Sequence, residues 1–378
     1  MKKCIPLISF LGSMAIFVSC AKDVELDLTE FEEGIFDRWM AKHHPEATPL
    51  ESPHKGLYVD WIERNPDGMK LRDGYWIELN YTARDQNGNI FLTRNKAVAR
   101  QILGPGFDRS VHYVPELIQY VPGSLVAGYA VGQVEALSLM QEGDSLRVFV
   151  PPFKGYMSQA SSYPYYNSYY EGYSTYFESG TASGFSYTVA KHYGFAPENI
   201  SVSTSLGLIF DMKIKKIIKD INLYEREKVE RFAADSLGVT ELSDSIALGV
   251  FFRKLEENPE GDSVKLQQKA KIYYKGAFLD GFVFDSNIDS VILAHRLSST
   301  ADTTHVYPDK FINGVKTALL NMKSGERARV VMVSEQGYGT TGSSDEYTGK
   351  VIIPPRTPLQ FELYVERVDP AASDDDDE

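Results

Sequence analysis

The chain has 378 residues, 43% of them hydrophobic, and a formal net charge of −13. That length suits two or three domains, and the acidic balance excludes a phosphate-binding surface, which needs clustered Lys and Arg, so no nucleic-acid partner is expected. Much of the excess acid falls in the last residues, Asp374 to Glu378, and 371–378 reads as a solvated tail.

The first element is a leader. Lys2 and Lys3 precede an apolar run from Ile5 to Val18 that is too short for a comfortable membrane span. It closes in Phe17-Val18-Ser19-Cys20, which resembles a bacterial lipobox, with Phe17 standing where Leu is commoner. The resemblance implies a signal peptide at 1–19, removal of Cys4 with it, and a diacylated (palmitate-bearing) Cys20 as the mature N-terminus, followed by a linker over 20–26. Plain secretion with cleavage near Ser19 is the other reading. Several buried acyl chains, at roughly 0.8 kcal/mol per CH₂, give lasting anchorage, so a membrane partner and a place in the cell envelope are expected. Ala21 after the cysteine points to the outer membrane, on its periplasmic face or at the cell surface. A mature chain with no thiol free to pair excludes a disulfide scaffold, a thiol nucleophile and a cysteine-based zinc site.

From residue 27 the chain says the same thing twice. Positions 193 apart repeat residue types: Asp27 and Asp220, Glu32 and Glu225, Arg38 and Arg231, Gly56 and Gly249, Asn65-Pro66 and Asn258-Pro259, Tyr81 and Tyr274, Phe91 and Phe284. The spacing then falls to 182 (Gly132 and Gly314, Met140 and Met322, Gly155-Tyr156 and Gly337-Tyr338) and to 151 (Phe210 and Phe361). A fixed offset broken by two indels marks a duplicated domain, here 27–219 and 220–370.

Each copy opens on a helix. In the first, Thr29 and Glu32 form a capping-box pattern, and Phe31, Ile35 and Trp39 share one face at helical spacing, expected to pack on its own domain. Tyr224 and Phe232 are the counterparts in the second. Strands follow from Gly56 to Val59 and from Gly249 to Phe252, then turns at Asn65–Gly68 and Asn258–Gly261, a half-buried strand from Val264 to Tyr274, and a hairpin turn at Asp280-Gly281. Val315, Leu319 and Met322 predict a short helix stopped by Gly325. The last strands are Arg329 to Val333 and Gln360 to Val368. The fold class is α+β: in each copy an antiparallel sheet wraps a short helix and is preceded by an N-terminal helix. The first copy also carries an insert at 157–200 that holds Tyr163-Pro164-Tyr165-Tyr166-Asn167-Ser168-Tyr169-Tyr170. Tyrosine gives flat amphipathic contact area at low entropic cost. The insert reads either as a surface for a protein, peptide or glycan partner or as a cluster packed on itself.

The chemistry concentrates in the second copy. Tyr274, Phe284-Asp285-Ser286, Phe311-Ile312-Asn313-Gly314-Val315, Gly337-Tyr338-Gly339, Val351-Ile352-Ile353-Pro354-Pro355 and Phe361 follow in that order. Together they resemble the FKBP-type peptidyl-prolyl cis–trans isomerases over about Ala247 to Val368. The resemblance implies that Tyr274, Phe284, Ile312, Val315 and Phe361 line a proline pocket. It also implies that the Ile312 N–H and the Tyr338 hydroxyl hold substrate carbonyls, that Asp285 is a polar wall group, and that Ile352 and Ile353 lie on a flap. Proline-containing polypeptides are the implied substrate. No cofactor or metal is implied, and His295 and His305 read as surface histidines. Val315 stands where the family usually has Trp, so a shallower or open floor is expected, and 287–306 replaces a short family segment.

The physics agrees with that chemistry. Rotation about an X–Pro bond passes through a twisted amide over a barrier of about 20 kcal/mol. A dry aromatic pocket disfavours the more polar planar ground state relative to the twisted one, which is differential binding. In the first copy Leu92, Ala130 and Gln133 replace Asp285, Ile312 and Val315, and Ser201-Val202-Ser203-Thr204 replaces Ile-Ile-Pro-Pro. No isomerase activity is expected there. Two functions therefore stand in competition: an envelope isomerase and folding helper acting through the second copy, or a non-catalytic lipoprotein on the same scaffold that binds a peptide or glycan through the Tyr-rich insert.

Overall fold

The computed structural model describes residues 28–104, 111–122, 129–155, 186–188, 201–203, 206–239, 245–297, 299, 305–344 and 351–370. The leader with Cys20, Tyr156, all of the 157–200 insert except one short strand, and the acidic tail lie outside these residues.

The opening helix α1 spans Leu28–His43. Its covered face differs from the expected one. Phe36 and Met40 are buried against Phe149 and Ile209, Trp39 sits at the edge stacked on Phe36 at 5.9 Å, and Ile35 is 45% exposed. The stripe is turned by one residue because the pair 36 and 40 meets the sheet, while the side chain of Phe31 lies outside the described set. The packing is onto its own unit, as the sequence suggests.

The first unit continues with β1 (Thr48–Pro49), β2 (Tyr58–Glu63), β3 (Trp76–Asp85), β4 (Ile90–Thr93), helix α2 (Lys96–Leu103) and β5 (Glu116–Gln119). Helix α3 (Val131–Leu137), β6 (Ser145–Val150), β7 (Ser186–Thr188), β8 (Ser201–Ser203) and β9 (Leu208–Ile218) complete it. The second unit runs α4 (Ile221–Leu237), β10 (Ser245–Ala247), β11 (Val250–Glu256), β12 (Ala270–Phe278), β13 (Val283–Ser286), α5 (Asp289–His295) and β14 (His305–Val306). It ends with α6 (Asn313–Leu319), β15 (Arg327–Met332), β16 (Ser343–Ser344), β17 (Val351–Ile353) and β18 (Leu359–Val368).

The duplication is visible in the topology. One seven-stranded sheet has the order β1-β2-β6-β9-β3-β4 with β5 also on β3; the other has β10-β11-β15-β18-β12-β13 with β14 also on β12. Every pairing is antiparallel, and each sheet is built on a long last strand between two partners: β9 on β3 and β6, β18 on β12 and β15. The short helix of each unit lies in its sheet's core, with Val134, Ala136 and Leu137 buried in α3 and Val315, Ala318 and Leu319 buried in α6.

Matching side-chain bonds lock the same corner twice. The Asn65 amide donates to the Glu142 carbonyl at 2.9 Å, and the Asn258 amide to the Ser324 carbonyl at 2.8 Å. A buried acid beside each turn, Asp144 or Glu326, accepts backbone N–H groups from both flanks of the corner.

Two stretches differ from the sequence expectation. The strand expected from Val264 starts at Ala270; Val264 instead donates its N–H to the Met322 carbonyl at 3.0 Å, and Lys265 to Gln268 closes a turn. The polar run Lys265-Leu266-Gln267-Gln268 has no buried face to keep it extended, and Leu266 is 46% exposed. Secondly, both units carry an unforeseen helix after the hairpin, α2 and α5. In α2 the Asn95 side chain caps the first turn by accepting from the Ala97 N–H at 2.9 Å.

Candidate functional site

Strand β12 presents Tyr274, and the β12–β13 hairpin returns Phe284 and Asp285 beside it, with Gly276 paired to Asp285 and Phe361 of β18 across from Gly276. Gly276 is required there by close approach. A Cβ at that position would lie 2.8 Å from the Phe361 ring and 2.9 Å from the Phe284 ring. Its absence lets the two phenylalanines meet edge to face at 5.8 Å. Tyr274 meets Phe311 edge-on at 5.8 Å and Phe361 at 6.3 Å. Tyr274, Phe284, Phe311, Ile312 and Tyr338 are all partly buried and packed against the unit's core, while Phe361 is buried within it. The rings thus form one apolar cluster with one side in the core and one side accessible.

Polar groups fix this cluster. The Tyr274 hydroxyl donates to Asp285 Oδ2 at 2.8 Å, and Ser299 Oγ donates to Asp285 Oδ1 at 2.6 Å. Both backbone groups of Tyr274 are held by side chains: its N–H donates to Asn287 Oδ1 at 2.9 Å and its carbonyl accepts from Ser286 Oγ at 2.7 Å. Burial and then the Asp285 carboxylate push the Tyr274 phenol far above its ordinary range. The same two causes raise Tyr338. Both hydroxyls therefore stay protonated and able to donate through the neutral range. Among the described residues the Tyr338 hydroxyl has no hydrogen-bond partner. Ile312 is the N-cap residue of α6, where backbone N–H groups have no partner within the helix.

Tyr274, Phe284, Asp285 and Phe361 thus come together through the hairpin and β18; Phe311, Ile312 and Tyr338 pack against the same core. Val315 does not form an open floor. It is 0% exposed and belongs to the core cluster with Ile272, Val330 and Leu359, because a side chain this short stays within the helix–sheet contact. The flap pair divides: on β17 Ile353 is 2% exposed and packs in the core, while Ile352 points outward at 38% exposed. Of the histidines, His295 is exposed at the end of α5, and His305 lies 3.0 Å from an Arg367 guanidinium nitrogen. Sequence reasoning missed Gly276, Asn287 and Ser299. The signal for Gly276 was present, since the first copy has Ala83 at that register.

The first unit's counterparts are closed. Tyr81, Phe91, Leu92, Tyr129, Ala130, Gln133 and Phe210 are each 9% exposed or less. The Tyr81 hydroxyl donates to Glu116 at 3.3 Å instead of to a hairpin acid, and among the described residues neither amide atom of the fully buried Gln133 has a partner.

Comparison with known proteins follows this division. Residues 261–366 match the family model for FKBP-type peptidyl-prolyl cis-trans isomerase. A probable FKBP-type 25 kDa peptidyl-prolyl cis-trans isomerase of Pseudomonas aeruginosa is 33% identical over 136 residues, 35% of this chain and 49% of that protein. A macrophage infectivity potentiator of Trypanosoma cruzi is 25% identical over 138 residues, 36% of this chain and 62% of that protein. The chain thus spans about half to three-fifths of those relatives' lengths. Among solved structures, FkpA from Escherichia coli is similar at 25% identity over 40% of this chain and 61% of that one, with a TM-score of 0.31. The matched segment holds the whole ring cluster from Tyr274 to Phe361, and over that segment the chain is similar to the FKBP-type peptidyl-prolyl cis–trans isomerases.

Proposed function

We propose that the second unit catalyses cis–trans exchange of X–Pro bonds in polypeptides and serves as a folding helper of the cell envelope. The observation that carries this is the partly accessible ring cluster of Tyr274, Phe284 and Phe311, fixed by a phenol–carboxylate bond of 2.8 Å. A prolyl ring resting on these faces loses water around its amide, and the planar, more polar amide is disfavoured relative to the twisted one. The Ile312 N–H and the Tyr338 hydroxyl are the donors suited to the flanking carbonyls. The first unit, with its ring positions buried, is a structural or docking module, and the Tyr-rich insert is its candidate surface for a protein or glycan partner. Lipid on Cys20 would hold the protein at the outer membrane.

The test is cis–trans exchange of a proline-containing peptide followed by NMR with the purified protein. Acceleration is expected, with Tyr338→Phe and Asp285→Leu each lowering kcat/KM about tenfold, the effect of one lost hydrogen bond. No acceleration above background at high enzyme concentration refutes the catalytic reading. The anchor is checked separately: Cys20→Ser should move the protein from the membrane pellet to the soluble fraction.

A further inference from the structure

Among the contacts between the described residues of the two units, one lies at the hairpin that carries part of the ring cluster. His112, on the segment leading into β5, lays its imidazole on Phe278 at 4.7 Å between ring centroids and 25° between planes. The same imidazole lies 4.5 Å from the Phe282 ring. Its Nε2 is 2.7 Å from Asp280 Oδ2. Asp280 is the turn residue of the β12–β13 hairpin, and its other oxygen accepts the Phe282 N–H at 3.1 Å. One carboxylate therefore ties the turn with one oxygen and holds the other unit with the second.

The contact continues to the site. Phe278 packs on Phe284 at 5.1 Å, and Phe284 meets Phe361 at 5.8 Å. The hairpin gripped at its tip by His112 is thus the one that carries Phe284 and Asp285. Around the grip is an open cleft of about 970 Å³, lined by Lys96 and Arg100 from the first unit and by Arg296 from the second, with Asp280 the single acid among its described lining residues. A flat ring that can also hydrogen-bond suits the space between Phe278 and Phe282 and still reaches Asp280. Leucine at that position would lack the bond, and lysine the stacking face.

We propose that His112 is a positioning residue for the prolyl site, by which the first unit fixes the hairpin and hence the placement of Phe284 and Asp285. This rests on the reading of the second unit as the isomerase. It gives the worn copy a function in the chemistry of the other: it supplies a wall support that the second unit lacks on its own.

The experiment uses the full chain and the same peptide exchange. His112→Ala should lower kcat/KM about fivefold, a loss in keeping with a sub-ångström displacement of positioned groups. His112→Phe, which keeps the stack but loses the bond to Asp280, should recover part of it. Asp280→Ala should lower the rate as well, and the double variant should fall no further than the worse single one, as residues acting through one contact do. Wild-type rate in His112→Ala, or independent multiplication of the two losses, overturns the proposal. If wild-type protein shows no isomerase activity, the function reading fails, and this inference is read from the NMR signals of ¹³C-labelled phenylalanine rings. Shifted Phe284 ring signals in His112→Ala support it, and unchanged ones overturn it.

Discussion

Position 133 shows how one residue separates the two copies. Val315 at the equivalent place is a fully buried apolar side chain that needs no partner, whereas Gln133 buries an amide with neither atom hydrogen-bonded among the described residues. A buried polar group left unsatisfied costs about 1–3 kcal/mol, while replacing it with an apolar group of similar shape is neutral or favourable. Methionine has nearly the same length and no polar atom. Gln133→Met should therefore stabilise the first unit by about 1–2 kcal/mol on that scale. All three tryptophans, Trp39, Trp61 and Trp76, lie in the first unit, so tryptophan fluorescence in urea reports this unit directly. A rise in its unfolding midpoint is expected. A fall would mean that the amide is satisfied by a bound molecule, and the first unit would then be a binding site of its own. The substitution of Gln for Val was legible in the sequence, and so was the loss of Asp285 at Leu92. Burial of the whole cluster around Gln133 was not, because it depends on how closely the surrounding elements approach.

At the scale of elements, the repeated corner explains why the offset survives through so much divergence. Asn65 and Asn258 each close a turn onto the loop before the next strand, and Asp144 and Glu326 each collect backbone N–H groups there. Glu326 is 2% exposed and also accepts from Lys254 Nζ at 2.9 Å. Burial opposes its charge most strongly, yet the Lys254 bond and the Lys323 and Asn258 N–H groups outweigh that and hold its carboxyl below the ordinary glutamate value of 4.5. A carboxyl lowered in the folded state stabilises the fold above 4.5, and that stabilisation is lost as pH falls through the lowered value. Glu326→Gln should thus cost about 1–3 kcal/mol at neutral pH, the range for charge-assisted bonds. The difference from wild type, measured by circular dichroism in urea, should shrink on acidification below pH 4.5. A difference that stays constant with pH would remove the ionised carboxylate from the explanation. The strands, the hairpin turn and α6 were readable because alternation, Asp-Gly and the i, i+4 spacing are local signals. Helices α2 and α5 were not: α5 has no buried residue and therefore no apolar stripe to find. The strand expected over 264–269 failed for the converse reason, since alternation was present without a face to cover it.

At the scale of the molecule, the contacts between the units are the part no internal repeat could announce, because they join residues that differ between the copies. Besides the His112 grip, the Tyr224 hydroxyl of α4 donates to Glu78 of β3 at 2.8 Å, and burial followed by that carboxylate holds the Tyr224 phenol far above its ordinary range. Arg356, just beyond β17, lies over the Trp76 ring at 5.2 Å and donates to the Asn222 side chain at 2.8 Å. Tyr224 follows the opening cap of the second unit's helix, with Asp220 accepting from the Asn222 and Leu223 N–H groups at 3.0 Å. The joint between the units is thus organised around the start of α4. Each of these contacts is worth about 1 kcal/mol by ordinary measures of hydrogen bonds and cation–π pairs. Two of them together are enough to couple unfolding of units whose own stabilities differ by a similar amount. Wild-type protein should give overlapping transitions in calorimetry. The Tyr224→Phe, Arg356→Ala double variant should separate them by several degrees, with the tryptophan signal following only one of the two. An unchanged thermogram would show that the units unfold independently in the wild type, and that α4 links them by chain connection alone.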